Sequence, residues 1–587
     1  MLYFVAVWTG LLAIFLTVGC GWLHWLNGKV IARSGDRALT AIWLGLVIVA
    51  ISMLGLAIFV PLSPLAGIAI AALWLLLALR SREVRAELRQ WASWLSFKLL
   101  LGYGLCSIAV AAFISQPVTW IDAGQYHYGF IQWFAKYGIT PGLALINPQF
   151  GFVSAWFAIA APFDFAVFEG RVSPIMNGVV LLVAVIQMVI ALKRIASRQA
   201  LLGDWFSLLF LLTVCTLLFQ ARLLSDITVL TVSPSPDSAI ALLTFAIAWS
   251  MLVVSTADID PDRGTLSTDL IPLVLSVGAV SIKLTALPLL AIAAGFYLFN
   301  GLKQKISLGN CLRRLAIASA LILSLLWPFL TAEVLVSGCP LYPSTVACFN
   351  LPWTLPVVAT QTLAEATHGW GQWFDQPPSN VNRSLWLLYQ WFMKGPSTKL
   401  ITFLILASVC SVIYFLRVLQ TEKQRIGGLY SLFWLAILAI VGTAFMMLKA
   451  PMFRFGMSYA LLLPVLSISL LCHLKTRQKP GSLLTAHPVK ALKKLEYSFL
   501  CVGTFWAISL SGSAYDDIGH RLLIAPPLPT VALEVQESNQ ITYFVSQDER
   551  RRCWATDLPC VFIVRPEVKL RNPEIGLEGG FILDNPL

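Results

Sequence analysis

Three ionisable residues lie beside or inside long apolar runs, where charge is costly. Asp122 follows the run that ends at Ile114, Lys283 lies within SIKLTALPLL, and Arg454 lies in APMFRFGM between two runs. A carboxylate at a membrane surface can act as a general base. A lysine in an apolar span costs about 2.5–3.5 kcal/mol unless it snorkels or meets an anion, and an arginine offers phosphate a planar fork. These residue types predict acid–base chemistry beside an anion site.

Asp122 has two compatible interpretations. Asp122-x-x-Gln125 is a capping-box pattern at the start of a helix, worth about 1 kcal/mol. The same carboxylate could take a proton from an acceptor hydroxyl. Because a cap at a helix N-terminus favours the ionised form, it would make Asp122 a weaker base.

The other candidate residues also have structural alternatives. His127 is a second acid–base group, a partner of Asp122 in holding a divalent cation, or a residue of a polar helix face. Lys283 could snorkel to the interface, and Arg454 could be an interfacial anchor. Asp237, in SPSPD, could cap the helix that follows it. Since no segment has the dense Cys/His spacing of a zinc site, we assign no metal ligands and leave a divalent cation open.

The composition identifies the class of protein. Of 587 residues, 58% are hydrophobic and 12% charged, and the mean hydropathy is +0.79, which predicts an all-α polytopic membrane protein. About fourteen apolar stretches predict 13–14 membrane segments. The net charge of +12 does not indicate nucleic acid, because the basic residues cluster in short connections as membrane topology requires. The N-terminus reads as a retained first helix rather than a signal peptide.

Basic clusters at 29–37, 80–89, 193–198 and 303–314 place those connections inside. The segment 115–172 is then the first large outer loop, and the tail 511–587 is external. The predicted spans are Leu2–Leu23, Leu39–Val60, Pro64–Leu79, Trp94–Ile114, Ser173–Leu192, Leu202–Phe219, Ser238–Ser255, Leu270–Asn300 (two short helices broken around Lys283), Leu315–Leu330, Leu400–Leu416, Leu429–Leu448, Met457–His473 and Tyr497–Leu510.

The outer loop carries an aromatic stripe at helical spacing, which predicts a helix lying in the membrane interface. Its residues are Tyr126, Phe130, Trp133, Phe134 and Tyr137. Gly151–Phe163 is apolar but short, which favours a re-entrant helix. The chain thus divides into extra helices (1–92), a membrane module (93–330), a second large outer loop (331–399), further helices (400–510) and the tail.

The tail contains ITYFVSQ and CVFIVRP, which predict strands in a small α+β unit. Two close cysteine pairs fall outside the spans, Cys339 with Cys348 and Cys553 with Cys560. Such pairs suit disulfides in an oxidising compartment, although spacing does not establish bonding.

The order of a long span, an outer loop with an early Asp, an interfacial helix and a return span resembles the GT-C glycosyltransferase superfamily. DAGQYH at 122–127, YGITPGLA at 137–144, SPSPD at 233–237 and PLYP at 340–343 resemble a family of bacterial multi-pass membrane proteins of GT-C type. This resemblance spans about Trp94 to Met457, leaving the first three helices and the tail outside. The Asp-Glu pair of protein mannosyltransferases and the Trp-Trp-Asp motif of oligosaccharyltransferases are absent, which leaves the acceptor open.

The resemblance implies transfer of a sugar from a polyprenyl-phosphate donor to a glycan, lipid or protein acceptor, at the periplasmic face of a bacterial inner membrane. It implies that Asp122 is the catalytic base, and Lys283 and Arg454 are expected to hold the donor phosphate. Tyr126, His127, Asp237 and Tyr342 are further candidates for substrate binding.

Two other functions remain as alternatives. Broken helices around Lys283 fit a secondary transporter or flippase, although such proteins usually contain internal repeats, and none is evident here. An O-antigen-type polysaccharide polymerase also has many spans and a large outer loop. Such polymerases use arginines in their outer loops, whereas the loop 331–399 has only Arg383.

Overall fold

Long apolar helices make up most of the molecule. The computed structural model describes residues 1–28, 31–219, 230–255, 267–303, 308–421, 429–478 and 518–584. Its α-helices are α1 (Leu2–Trp25), α2 (Ser34–Ala57), α3 (Pro64–Arg80), α4 (Arg82–Ser93), α5 (Phe97–Ile114), α6 (Tyr128–Tyr137), α7 (Leu143–Ile146), α8 (Ala155–Ala160), α9 (Ile175–Ala196), α10 (Leu202–Phe219), α11 (Pro236–Ser255), α12 (Ile271–Ile282), α13 (Leu287–Lys303), α14 (Leu308–Ser337), α15 (Val357–His368), α16 (Arg383–Met393), α17 (Pro396–Thr421), α18 (Leu429–Lys449), α19 (Phe453–Gln478) and α20 (Ile518–Leu523).

Within the described ranges, nine helices are long and apolar enough to cross a membrane: α1, α2, α5, α9, α11, α14, α17, α18 and α19. The prediction of a multi-pass helical membrane protein is therefore confirmed. Each expected span in these ranges contains a helix, but α3, α10, α12 and α13 are not among these nine, so the count of 13–14 membrane segments stays a prediction. Several helices extend beyond their apolar run; α14 covers Leu308–Ser337, where Leu315–Leu330 was expected. The expected last span, Tyr497–Leu510, lies outside the described residues.

A sharp bend of 99° separates α3 from α4. The basic segment 80–89, expected to be a connecting loop, is mostly helical because Ser81 Oγ caps α4 by accepting a hydrogen bond from Val84 N at 3.3 Å. Val84 and Trp91, seven positions apart, are buried on one side of α4, and its arginines are exposed on the other. This makes α4 an amphipathic helix that packs against α1.

The first helices are part of the main core rather than a separate addition. At Gly19 of α1 a Cβ would lie 1.7 Å from Ala41 O of α2, and at Gly45 it would lie 1.9 Å from Phe15 O. Only glycine allows two helix backbones to approach this closely. Trp8 Nε1 also donates to Ile175 O of α9 at 2.9 Å, which joins residues 1–92 to the membrane module.

The C-terminal tail contains the strands β1 (Leu533–Ser538), β2 (Ile541–Ser546), β3 (Cys560–Val561), β4 (Val568–Leu570) and β5 (Phe581–Leu583). β2 pairs antiparallel with β1 and parallel with β3, while β4 and β5 form a separate antiparallel pair. The strand predicted in ITYFVSQ is β2. CVFIVRP contributes only the short β3. The cysteine pairs 339–348 and 553–560 are both disulfide-bonded.

The helix α6, which carries most of the aromatic stripe, is enclosed by protein. Trp133 and Phe134 are fully buried. On the tail side, Gln132 Nε2 donates to Thr556 O at 3.3 Å. On the bundle side, Leu62 N donates to Phe134 O at 2.8 Å. The helix therefore lies between the bundle and the tail, and the prediction that it lies on a lipid surface is wrong.

Candidate functional site

Asp122 lies at the start of a π-helical turn, Ala123–His127, just after α5 and its connecting segment. Its side chain makes no capping hydrogen bond and instead accepts one from Trp120 Nε1 at 3.2 Å. The Gln125 amide, the other half of the expected capping box, donates to Arg550 O at 2.8 Å. The capping interpretation of Asp122 is therefore wrong, and the carboxylate is available for other contacts.

The turn that carries Asp122 is held by the C-terminal tail. Gly124 O accepts hydrogen bonds from Cys553 N at 2.7 Å and from Trp554 N at 3.2 Å. A Cβ at Gly124 would lie 2.7 Å from the buried Trp554 ring, so only glycine fits beneath it. The disulfide between Cys553 and Cys560 links the loop that contains Cys553 and Trp554 to β3. The tail is thus a structural part of the site.

Four charged side chains from four distant segments meet here. Arg454 Nη1 donates to Asp122 Oδ2 at 3.4 Å, and Arg454 Nε lies 3.9 Å from Asp237 Oδ2. Lys283 Nζ forms a hydrogen-bonded ion pair with Asp237 Oδ1. The structure therefore brings together Asp122, Asp237, Lys283 and Arg454, which we call the charged cluster.

Aromatic rings flank both cations of the charged cluster. The Arg454 guanidinium lies 5.0 Å from the Trp120 ring centroid and 4.7 Å from that of Phe455. Lys283 Nζ lies 4.3 Å from the Phe455 centroid. Such cation–π contacts hold the two cations in place without using their hydrogen-bonding capacity. Arg454 Nε in particular has no hydrogen-bond acceptor among the described residues.

Asp237 sits in the first turn of α11, but Ser235 does the capping: its Oγ accepts a hydrogen bond from Asp237 N at 3.4 Å. The expected capping role of Asp237 is therefore wrong, and its carboxylate pairs with the two cations. Asn177 of α9 fixes the SPSPD segment by donating to Ser233 O at 2.6 Å and Ser235 O at 2.9 Å.

Lys283 lies at the predicted break, between α12 and α13, with an extended backbone (φ −160°, ψ 131°). Ser154 Oγ donates to Ile282 O at 2.7 Å, and Tyr459 OH donates to Thr285 O at 3.1 Å. These bonds satisfy carbonyls on both sides of the break. They fix the backbone on both sides of Lys283 and therefore the direction in which its side chain points.

Sequence reasoning missed the positioning residues Trp120, Asn177 and Ser154. Asn177 and Ser154 are buried polar residues in apolar segments, and such residues are usually hydrogen-bonded. Trp120 is two positions from Asp122. A search for every polar residue in the apolar runs, rather than for ionisable ones alone, would have singled out Asn177 and Ser154.

The electrostatic balance of the cluster decides the properties of Asp122. Burial raises the pKa of its carboxyl group above the ordinary aspartate value, with a smaller contribution from Asp237, while Arg454 and Lys283 lower it. The side chain remains 21% exposed, so solvent or substrate can reach it. A partly accessible carboxylate with a raised pKa is a better base than an ordinary aspartate.

The other predicted site residues lie around the charged cluster rather than in it. His127 is buried against Tyr126 and Phe157, with ring centroids 4.3 and 5.2 Å away, and burial lowers its pKa well below the ordinary value. Tyr126 packs on Phe152, which in turn packs on Tyr342. The Tyr342 hydroxyl donates to Pro148 O at 2.8 Å. The structure thus gives Tyr342 a packing role behind the site.

A small cavity adjoins the cluster, lined on one side by Asn177, Asp237 and Arg454 and otherwise mostly by apolar side chains of α9, α10, α11 and α19. Its volume is about 20 Å³, roughly the room that one water molecule needs. A larger ligand would have to displace contacts within the cluster.

The chain belongs to the family described as a domain of unknown function (DUF8201), which matches residues 1–461. The match contains all four residues of the charged cluster and also covers the first three helices, which lie outside the resemblance to GT-C-type proteins. The tail, which is hydrogen-bonded to the turn that carries Asp122, lies beyond the family match. No curated protein and no solved structure matches the chain.

Proposed function

We propose that this DUF8201 member is an integral membrane glycosyltransferase that transfers a sugar from a polyprenyl-phosphate donor to an acceptor. The observation that carries the proposal is that Arg454 lies between Asp122 and Asp237 while Lys283 pairs with Asp237. This reaction requires one carboxylate to take the proton of the acceptor and two cations to stabilise the phosphate.

In the proposed reaction, Asp122 takes the proton of an acceptor hydroxyl, whose oxygen attacks the anomeric carbon of the sugar. The bond from that carbon to the phosphate oxygen breaks, with inversion at the carbon. Negative charge then develops on the departing polyprenyl phosphate, where Lys283 and Arg454 stabilise it.

Donor binding would prepare the base. Without substrate, two carboxylates and two cations neutralise one another. A phosphate that binds at Arg454 competes with Asp122 for the guanidinium. The Arg454 Nε–H group can donate a hydrogen bond to this phosphate, because it has no acceptor among the described residues. Asp237 keeps Lys283 in place, so Asp122 is the carboxylate that is released toward the acceptor.

The distribution of charge supports an outer, periplasmic location for the site. Arg194 is at the far end of α9 from Asn177, and it pairs with Asp36 at the start of α2. Arg33 and Arg37 lie at that same end of α2. Since connections rich in arginine and lysine stay on the cytoplasmic side, the charged cluster and the tail that covers it would face the outside.

The acceptor is a glycan, a lipid or a protein. The tail contacts the turn after Asp122, so we expect it to form part of the surface that the acceptor meets. The tail lies outside the family match, whereas the charged cluster lies within it.

The test is sugar transfer in proteoliposomes, with a panel of polyprenyl-phosphate hexoses labelled in the sugar. We expect Asp122→Asn to lower transfer by about 10²–10⁴-fold, the usual contribution of a general base. Asp164→Asn is the matched control, since Asp164 is an acid of the same outer loop that accepts a hydrogen bond from Tyr128 OH, outside the cluster. Equal transfer by wild type and Asp122→Asn would reject the proposal.

A second candidate, a secondary transporter or flippase, is favoured by one observation: the ion pair of Lys283 with Asp237 lies at a break between two apolar helices. Broken helices with charged groups at the break are common in transporters. Movement of an intact labelled lipid or solute across the bilayer, without release of polyprenyl phosphate, would support this function instead.

A further inference from the structure

A second group of side chains with ligand chemistry lies between α1 and α4. α1 contributes Cys20 and His24, one turn apart, and α4 contributes Glu83 and Glu87, also one turn apart. His24 Nε2 lies 2.7 Å from Glu87 Oε2, and Cys20 Sγ lies 3.7 Å from the same oxygen. The three atoms all lie within 4.8 Å of one another.

This group is far from the charged cluster. The amino group of Met1, at the start of α1, donates to Arg521 O at 2.7 Å, and Arg521 Nε donates to Ser115 O at 3.1 Å, beyond the end of α5 that leads to Asp122. A helix rises 1.5 Å per residue, so Cys20 is about 28 Å further along α1. The two groups lie at opposite ends of the bundle.

We propose that Cys20, His24 and Glu87 bind a divalent transition-metal ion of the Zn²⁺ class. A thiolate, an imidazole and a carboxylate are the three ligand types that Zn²⁺ takes in proteins, at about 2.0–2.3 Å. Ligand atoms at such distances from one ion lie roughly 3.3–3.7 Å apart in a tetrahedral arrangement. The 3.7 Å between Cys20 Sγ and Glu87 Oε2 agrees with this, while His24 Nε2 and Glu87 Oε2, 2.7 Å apart, must separate slightly when the ion enters. The i, i+4 placement on α1 directs Cys20 and His24 to one side.

Two neighbouring groups would orient the ligands. Glu83 Oε2 lies 3.4 Å from His24 Nδ1, so a carboxylate faces the ring nitrogen that does not bind the metal. Arg37 Nε donates to Glu87 Oε1 at 2.7 Å, the oxygen that the metal would not use. Partners of this kind fix the tautomer and the direction of ligands in known metal sites.

The charges balance once the ion is bound. Binding displaces the thiol proton of Cys20 to solvent, after which the thiolate, Glu83 and Glu87 offset the ion and Arg37. Arg37 Nη2 also donates to Glu87 Oε2 in the structure. It must leave that oxygen when the metal arrives, while Nε keeps Oε1. Arg37 therefore competes with the metal and sets the affinity of the site.

The ion has a route to the site. A groove of about 550 Å³ lies beside it, lined by His24 and Glu83 and by the aromatic rings of Trp22, Trp25 and Trp74. Solvent in this groove can supply a water as fourth ligand. Bound in this way, the metal would link α4 to α1 across the bend that follows α3.

The experiment uses the full chain purified in detergent, treated with chelator and then titrated with Co²⁺ and Zn²⁺. We expect about one metal per chain and, with Co²⁺, the sulfur-to-metal charge-transfer absorption that reports thiolate ligation. Cys20→Ser should lose that absorption, and Glu83→Gln should weaken binding about 10–100-fold. Cys106→Ser, a buried cysteine of α5, is the matched control and should bind as the wild type does.

Two results would overturn the proposal. One is wild-type protein that takes up no stoichiometric metal from micromolar Zn²⁺ or Co²⁺. The other is a Cys20→Ser protein with an unchanged cobalt spectrum. If Cys20→Ser does not remain monodisperse, the cobalt spectrum of the wild type and the affinity of Glu83→Gln decide the question.

Discussion

Arg454 Nη1 lies 3.4 Å from Asp122 Oδ2, although the two residues are 332 positions apart in the chain. The same guanidinium lies 3.9 Å from Asp237 through its Nε. One arginine thus connects the loop after α5 with the start of α11. A substitution at Arg454 therefore changes both the phosphate-binding capacity of the site and the charge balance around Asp122.

The first prediction concerns Arg454 and the donor. We expect Arg454→Gln to raise the KM for a polyprenyl-phosphate sugar by about 10–100-fold, because a hydrogen bond to a charged group contributes about 1.5–3 kcal/mol. Arg454→Lys should recover only part of this, since an ammonium lacks the planar fork. Steady-state transfer in proteoliposomes measures both. Arg383→Gln, at an exposed arginine of the long outer loop, is the control; a KM change of equal size there would show that Arg454 has no special role.

The second prediction concerns pH. Because burial raises the pKa of Asp122 in the ligand-free site, its base form should be lost, and kcat/KM should fall, at a higher pH than for an exposed aspartate. Arg454 lowers this pKa, so Arg454→Gln should move the acidic limb of the kcat/KM profile to still higher pH. Profiles of wild type, Arg454→Gln and Arg383→Gln give the comparison. An acidic limb that stays in place when Arg454 is removed contradicts the electrostatic assignment.

The third prediction tests the close contact between the tail and the turn that carries Asp122. In Gly124→Ala the new Cβ would meet the Trp554 ring at 2.7 Å and Arg552 Cβ at 2.9 Å. We expect a loss of about 1–3 kcal/mol from overpacking and a lower kcat, because the turn must shift. Gly104→Ala in α5 meets nothing within 4 Å, so it should be neutral or slightly stabilising. Thermal unfolding in detergent and kcat are the readouts, and identical behaviour of the two variants would contradict the close contact.

The fourth prediction tests the break that carries Lys283. Ser154→Ala removes the hydrogen bond to Ile282 O and another from Trp156 N to Ser154 Oγ. Leaving these buried groups unpaired should cost about 1–3 kcal/mol and raise the KM for the donor. In Ser276→Ala, only a bond to Pro272 O within α12 is lost. We expect a smaller change in stability there and an unchanged KM; a KM that rises equally in both variants would show that Ser154 does not position Lys283.

Sequence reasoning predicted the local features well. The spans follow from apolar length, and the break around Lys283 follows from a charge and Pro288 inside an apolar run. The aromatic stripe of α6 also follows from its spacing. Each of these features depends on residues close together in the chain, where periodicity is informative.

The remaining features depend on contacts between distant residues. A buried stripe at Trp133 and Phe134 packs equally well against lipid or protein, and the sequence does not show that the tail covers it. Likewise, the capping patterns at Asp122 and Asp237 are local signals that tertiary ion pairs override. The pairing of Asp237 with Lys283 joins α11 to the α12–α13 break, and no local pattern contains it.

The central claim is that Asp122 removes the acceptor proton while Lys283 and Arg454 hold the donor phosphate. The most direct measurement compares Asp122→Asn with wild type in two assays on the same proteoliposomes: equilibrium binding of a labelled polyprenyl-phosphate sugar, and transfer of its sugar. We predict that Asp122→Asn binds the donor at least as tightly as wild type, because Arg454 no longer faces a competing carboxylate, yet transfers sugar about 10²–10⁴-fold more slowly. Transfer at the wild-type rate by a variant that binds the donor normally would contradict the account.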